Sequence, residues 1–178
     1  MLRHSRLLIA AGALALVSVP AAAQKGMAAK HELGVDVAFV YSKPSGGNGI
    51  TSFLTPVDVR IGFVPAKGNL MFEPRASIAF TSTSGASTHD INLDVNALYG
   101  KNHKKGMYYT AGAGIELLGR PGTSGSIFSL NGGIGTRSPW ESGAWRLEAF
   151  VRYDLKNTSL GFPNTLSIGA RAGLSLWH

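Results

Sequence analysis

The chain has 178 residues, with 23 Gly, 8 Pro, no Cys, a formal net charge of +7, and 15% charged against 44% hydrophobic residues. The lack of Cys excludes a disulfide scaffold, a thiolate zinc site, a thiol nucleophile and a lipidated N-terminal Cys. The hydrophobic share excludes a disordered chain, and the length suits one domain.

Residues 1–23 have the layout of a secretory signal peptide. Arg3 and Arg6 form a positive start, residues 7–19 an apolar run, Pro20 a break, and Ala21, Ala22 and Ala23 an A-x-A-like cleavage site. The apolar run falls short of the ~20 residues that span a membrane as a helix. Cleavage after Ala23 leaves a short tail, 24–30, and a domain over 31–178.

From His31 onward the pattern is alternation with period two, which predicts strands. In the first run Leu33, Val35, Val37, Phe39 and Tyr41 share one face, with Gly34, Asp36 and Ala38 on the other. A turn is predicted at 43–49. The second run sets Val57, Val59, Ile61 and Phe63 against Asp58, Arg60 and Gly62, and a turn follows at 65–68. The third sets Leu70, Phe72, Ala76, Ile78 and Phe80 against Glu73, Arg75 and Ser77, before a polar loop at 81–88. The fourth sets Ile91, Leu93, Val95, Ala97 and Tyr99 against Asn92, Asp94 and Asn96, before a basic turn at 100–106.

The fifth run sets Met107, Tyr109, Ala111, Ala113, Ile115 and Leu117 against Thr110, Gly112, Gly114 and Glu116, and a loop is predicted at 119–125. The sixth is weaker, with Phe128, Leu130 and Ile134 against Ser129, Asn131, Gly133 and Gly135, and a turn at 138–143. The seventh sets Trp145, Leu147, Ala149, Val151 and Tyr153 against Arg146, Glu148, Arg152 and Asp154, before a loop at 156–164. The eighth sets Leu166, Ile168, Ala170, Ala172, Leu174 and Leu176 against Ser167, Gly169, Arg171, Gly173 and Ser175. Eight alternating runs with short connections predict an all-β, eight-stranded antiparallel up-and-down barrel.

Such a pattern fits a soluble lipocalin-like barrel, apolar inside, or a membrane barrel, apolar outside. Every Lys (25, 30, 43, 67, 101, 104, 105 and 156) falls in the tail, a turn or a loop. The strand-borne cations are Arg60, Arg75, Arg137, Arg146, Arg152 and Arg171, and Arg suits fork-shaped pairing away from water. Glycines crowd the polar face, where a narrow lumen needs room for large side chains. Phe63, Phe72, Tyr99, Tyr109 and Trp145 fall at one end of their strands, and Phe39, Tyr41, Phe80 and Tyr153 toward the other, like two interfacial girdles. All three point to the membrane barrel, its lumen closed by Asp36, Asp58, Arg60, Glu73, Arg75, Asp94, Glu116, Arg146, Glu148, Arg152, Asp154 and Arg171. Avoiding like charges face to face predicts a register between the second and third strands with Arg60 opposite Glu73 and Asp58 opposite Arg75.

The signal peptide, the eight strands and a strand at the C-terminus resemble the small bacterial outer-membrane β-barrels of the OmpA-like and OmpX-like family. Arg171, Gly173, Leu176 and His178 resemble that family's C-terminal assembly signal, with His178 where Phe is usual. The resemblance implies a Gram-negative outer-membrane location with both termini periplasmic. It also implies outer-membrane lipid and lipopolysaccharide as surroundings, barrel-assembly machinery as a partner in biogenesis, and a monomer.

Signals for chemistry are sparse. A lipid A-modifying enzyme is the alternative function, but the His-x-Ser pair that resembles its deacylase type is missing. His89, near Asp90 and Ser87, is the one candidate, and adjacent strand residues point to opposite faces. Gly112-Ala-Gly114 and residues 132–135 are glycine-rich, but no helix follows to make a phosphate loop. No metal, cofactor or catalytic residue is inferred. The basic residues form no stripe, so no nucleic-acid partner is inferred either. The sequence therefore predicts a non-enzymatic envelope barrel with a structural or surface-interaction role.

Overall fold

A computed structural model describes residues 31–63, 69–83 and 86–177. The signal segment 1–23, the tail 24–30 and His178 lie outside the described residues. The strands are β1 (His31–Pro44), β2 (Ile50–Phe63), β3 (Leu70–Thr83), β4 (Ala86–Tyr99), β5 (Gly106–Arg120), β6 (Thr123–Trp140), β7 (Gly143–Asp154) and β8 (Thr165–Trp177). Each pairs antiparallel with its sequence neighbours, and β1 pairs with β8, closing the barrel. One turn of 3-10 helix, Thr158–Leu160, interrupts the connection between β7 and β8.

The apolar face is outside. Phe39, Ile78, Val95, Phe128 and Trp145 are 55–63% exposed, while Glu32, Arg60, Glu73 and Arg146 on the other face are 0–2% exposed. The lipocalin-like arrangement, with its apolar face inward, is thereby overturned. A closed eight-stranded sheet is too narrow to hold both sets of side chains, so one set must face out.

The strands run further than the apolar alternation reaches. The ladder continues to Thr83↔Ala86, Arg120↔Thr123 and Trp140↔Gly143, so the loops expected at 81–88, 119–125 and 138–143 are mostly strand. β2 begins at Ile50, and β6, the weakest run by pattern, is the longest strand at 18 residues. Once a strand passes the apolar band, its outer face needs no hydrophobe, and Ser, Thr and Gly continue the ladder. The Pro121–Gly122 tip, with Gly122 at φ 76°, suits a type II turn between Arg120 and Thr123.

The expected register between β2 and β3 is not the one found. Arg60 stands opposite Arg75, with Val59 opposite Ala76 and Phe63 opposite Phe72. The like charges are tolerated because their guanidinium groups part. Arg60 reaches toward β1 and β8, Arg75 toward β7, and Glu73 contacts both.

Among the described residues this seam also registers the fewest pairs. Between Arg60↔Arg75 and Phe63↔Phe72 no pair is formed, and there Pro74 stands on β3 without an N–H. The β3–β4 ladder is unbroken through Pro74↔Val95, so the missing donor belongs to the β2 side. A Pro74→Val change restores it and should raise the unfolding free energy by about 1 kcal/mol, the net worth of one hydrogen bond, and with it the urea midpoint. An unchanged or lowered midpoint would show that the Pro74 nitrogen does not face β2.

Candidate functional site: the charged lumen

Period-two geometry sends alternate residues of every strand inward, and in the half nearer the chain termini these residues are charged. Arg60, Arg75, Arg137, Arg146 and Arg171 meet Glu32, Asp36, Asp58, Glu73 and Glu148, so the formal charges cancel. Glu73 is the hub. Its carboxylate lies 2.7 Å from Arg75 Nε, 2.5 Å from Arg146 Nη1, and 3.8 Å from both Arg60 and Arg137. Across the lumen Glu148 lies 2.7 Å from Arg146, 3.2 Å from Arg75 and 3.4 Å from Arg171, and it accepts the Tyr108 hydroxyl at 2.8 Å.

Arg60 closes the β1–β8 side. It pairs with Glu32, donates to Asp36 at 2.8 Å, and donates to the Leu174 carbonyl and Ser175 Oγ at 3.0 Å each. A Cβ on Gly34 would overlap its guanidinium, so this glycine gives the arginine its place. Gly173, likewise, leaves room for the Asp36 carboxylate. A small apolar cluster of Met71, Leu98 and Tyr108 is buried near this end of the lumen.

Above this layer Phe150 points inward between Gly133 and Gly169, and its ring centroid lies 4.1 Å from Arg171 Cζ. A second, less buried cluster follows. Arg152 lies 2.6 Å from Asp154, 3.5 Å from Glu116 and 3.6 Å from Asp94, and donates to Asn92 at 2.9 Å. Asp90 joins it through Asn92. The lumen is thus filled in layers: charge, aromatic, charge.

The structure brings together Asp36, Asp58, Arg60, Glu73, Arg75, Arg146, Glu148 and Arg171 in one network, and Asp94, Glu116 and Arg152 in the other. Three members escaped the sequence reading. Glu32 shares the parity of Asp36, Tyr108 that of Thr110, and Arg137 was visible as a strand cation without an evident partner. Tyr108 carries no formal charge, so charge matching could not find it.

On the outer wall Phe63, Phe72, Tyr99, Tyr109 and Trp145 are 45–63% exposed. Phe63 faces Phe72 and Tyr99 faces Tyr109 across neighbouring strands, at the end that carries the termini. Of the residues likened to an assembly signal, Arg171 and Gly173 belong to the lumen face, and Leu176 pairs with Leu33 between β8 and β1. His89 lies on the outer wall opposite Gly119, and Asp90 on the lumen side, so the two form no dyad. Among the described residues no group of three His, Cys, Asp or Glu could hold a metal ion. What the arrangement does is cross-brace the wall, joining β1, β2, β3, β6, β7 and β8 through ion pairs.

No family model and no curated protein matches the chain. Its fold is similar to that of Neisserial surface protein A, with 16% identity over 84% of this chain and 97% of that one, and a TM-score of 0.53. Two further structures align less closely. The attachment invasion locus protein Ail of Yersinia pestis has 12% identity over 84% of this chain and all of its own, with a TM-score of 0.48. The N-terminal β-barrel domain of Pseudomonas aeruginosa OprF has 10% identity over 80% of this chain and 97% of its own, with a TM-score of 0.43. The chain has the fold of the small eight-stranded outer-membrane β-barrels.

Proposed function

We propose that this chain is an integral outer-membrane protein whose closed, charge-filled barrel has a structural or surface-interaction role and no enzymatic one. The observation that carries the reading is the outer wall. Among the described residues it is a belt of exposed Val, Leu, Ile and aromatic side chains around a lumen of buried ion pairs. Water on that belt would forfeit the burial of every residue in it, and a bilayer would not. Strands of 12–18 residues exceed the ~9–11 that a tilted strand needs to span.

In this reading both termini are periplasmic. The connections at 100–105 and 141–142 face the periplasm, and those at 45–49, 121–122 and 155–164 face out. Every strand has both neighbours, which favours a monomer. Lipid and lipopolysaccharide surround the belt, and the barrel-assembly machinery inserts it. A loss of one lipid A acyl chain in cells that carry the protein would replace this reading with the enzyme.

The test is a charge on the belt. Ala149 is exposed midway between Trp145 and Tyr153 on β7. Ala149→Arg should cost about 2–4 kcal/mol when the barrel is unfolded from lipid vesicles. The wild-type protein should also migrate on a gel at different positions before and after boiling. A wild-type protein that stays soluble and monomeric without detergent, with Ala149→Arg neutral, would overturn the membrane reading.

A further inference from the structure

The connection from β4 to β5, residues 100–105, carries Lys101, Lys104 and Lys105, and no acidic residue lies between Tyr99 and Tyr109. It is a fixed turn. The Gly100 N–H donates to the Asn69 carbonyl at 2.9 Å, and the Lys104 N–H to Asn102 Oδ1 at 2.9 Å. Arg137 Nη1 donates to the His103 carbonyl, and Gly106 at φ 84° turns the chain back into the wall. The Lys104 ammonium lies 5.9 Å from the centroid of the Trp177 ring, which ties the turn to the C-terminal strand. Lys101 and Lys105 are exposed.

The turn hangs from the lip of the apolar belt. Tyr99, Met107 and Tyr109 are 57–61% exposed on the two strands that enter and leave it, and Phe72 stands beside them on β3 at 54%. Cations at the rim of an apolar wall meet the depth at which lipid phosphates lie, and long Lys stems let the ammonium reach them. The inward acids at this end, Glu32 and Glu73, are already paired with arginines. Glu141 is on a different turn, between β6 and β7.

We propose that residues 101–105, with Tyr99, Met107 and Tyr109, form a binding site for the phosphate-bearing headgroup of an anionic phospholipid in the leaflet at this end of the barrel. The inference rests on the membrane reading above. The lysines hold the headgroup phosphate, and the acyl chains lie along the two tyrosines and the methionine. A soluble polyanion would use the lysines alone; the adjoining apolar wall favours the lipid.

The experiment uses the full barrel in vesicles of phosphatidylcholine with a minor share of phosphatidylglycerol, and native mass spectrometry of the lipids that leave with it. The wild type should retain phosphatidylglycerol well above its share in the vesicle. The triple variant Lys101→Gln, Lys104→Gln, Lys105→Gln should lose at least tenfold of that enrichment, since each lysine near an anionic surface contributes about fivefold. Raising salt to 1 M should reduce the wild-type enrichment in the same direction. The variant's migration before and after boiling confirms that it still folds. Equal retention by wild type and variant overturns the site with the barrel intact. Phosphatidylglycerol at only its vesicle share, with a soluble anionic glycan bound to the same lysines in detergent, overturns it in favour of a polymer partner. A chain that fails to enter vesicles overturns the membrane reading itself, and the site with it.

Discussion

Glu73→Gln should lower the unfolding free energy of the barrel by about 3–5 kcal/mol, the cost of leaving a buried charge without its partner. Glu73 is fully buried, and two arginines rest directly on its carboxylate, with two more at 3.8 Å. Glutamine keeps the shape and removes the charge, so Arg75 and Arg146 must share Glu148, with Glu32 a further 3.9 Å contact of Arg146. The loss should therefore be non-additive. The double variant Glu73→Gln, Arg146→Gln restores the charge balance, and it should be more stable than Glu73→Gln by itself. Arg152→Gln serves as the comparison. Its cluster is 9–17% exposed, so water screens it, and the cost should be smaller. Urea titration in vesicles, followed by the fluorescence of Trp140, Trp145 and Trp177, reads all three. A Glu73→Gln loss below about 1 kcal/mol, or a double variant less stable than the single, would show that the network does not act as one unit.

The same network explains what could and could not be read from the chain. Strand number and facing were legible because one face of each strand carries the exposed apolar side chains and the other the buried polar ones, so alternation survives along runs such as Leu33 to Tyr41 and Leu166 to Leu176. Strand ends were not legible, because beyond the belt neither face demands a hydrophobe. Residues 81–83, 119–120 and 123–125 therefore look like loop and pair as strand. Register was the harder matter. The rule against like charges opposite one another supposes that a side chain answers to its direct neighbour on the ladder. In a lumen this narrow, Arg75 answers to Glu148 four strands away and Arg146 to Glu73, while Glu73 and Arg75 pair along one strand. Arg60 opposite Arg75, Arg137 opposite Arg146 and Asp36 opposite Asp58 are then all compatible with a balanced interior. What composition shows as a surplus of Gly is, on the lumen face, the space those long reaches require.

That last relation has a sharp test at Gly34. Glycine weakens a strand by roughly 0.5–1 kcal/mol, so by local propensity alone Gly34→Val should stabilise β1. The lumen demands the opposite. The Arg60 guanidinium lies flat against Gly34, in the volume a Cβ would fill, and it has no free direction to take. Glu32, Asp36, Ser175 and the Leu174 carbonyl hold it on its other sides. Displacing it strands Asp36 in the interior and leaves Glu32 to Arg137 and Ser175, and the expected loss is about 3–5 kcal/mol in the same urea titration. Gly132 is the control. It shares the outward face with Leu130 and Ile134, and a Cβ there meets only the Thr110 carbonyl oxygen at 3.5 Å, an ordinary contact. Gly132→Val should be neutral or stabilising. The two glycines carry the same propensity argument and differ only in what occupies the space beside them. Equal effects at both positions would mean that the glycines serve the ladder and not the lumen.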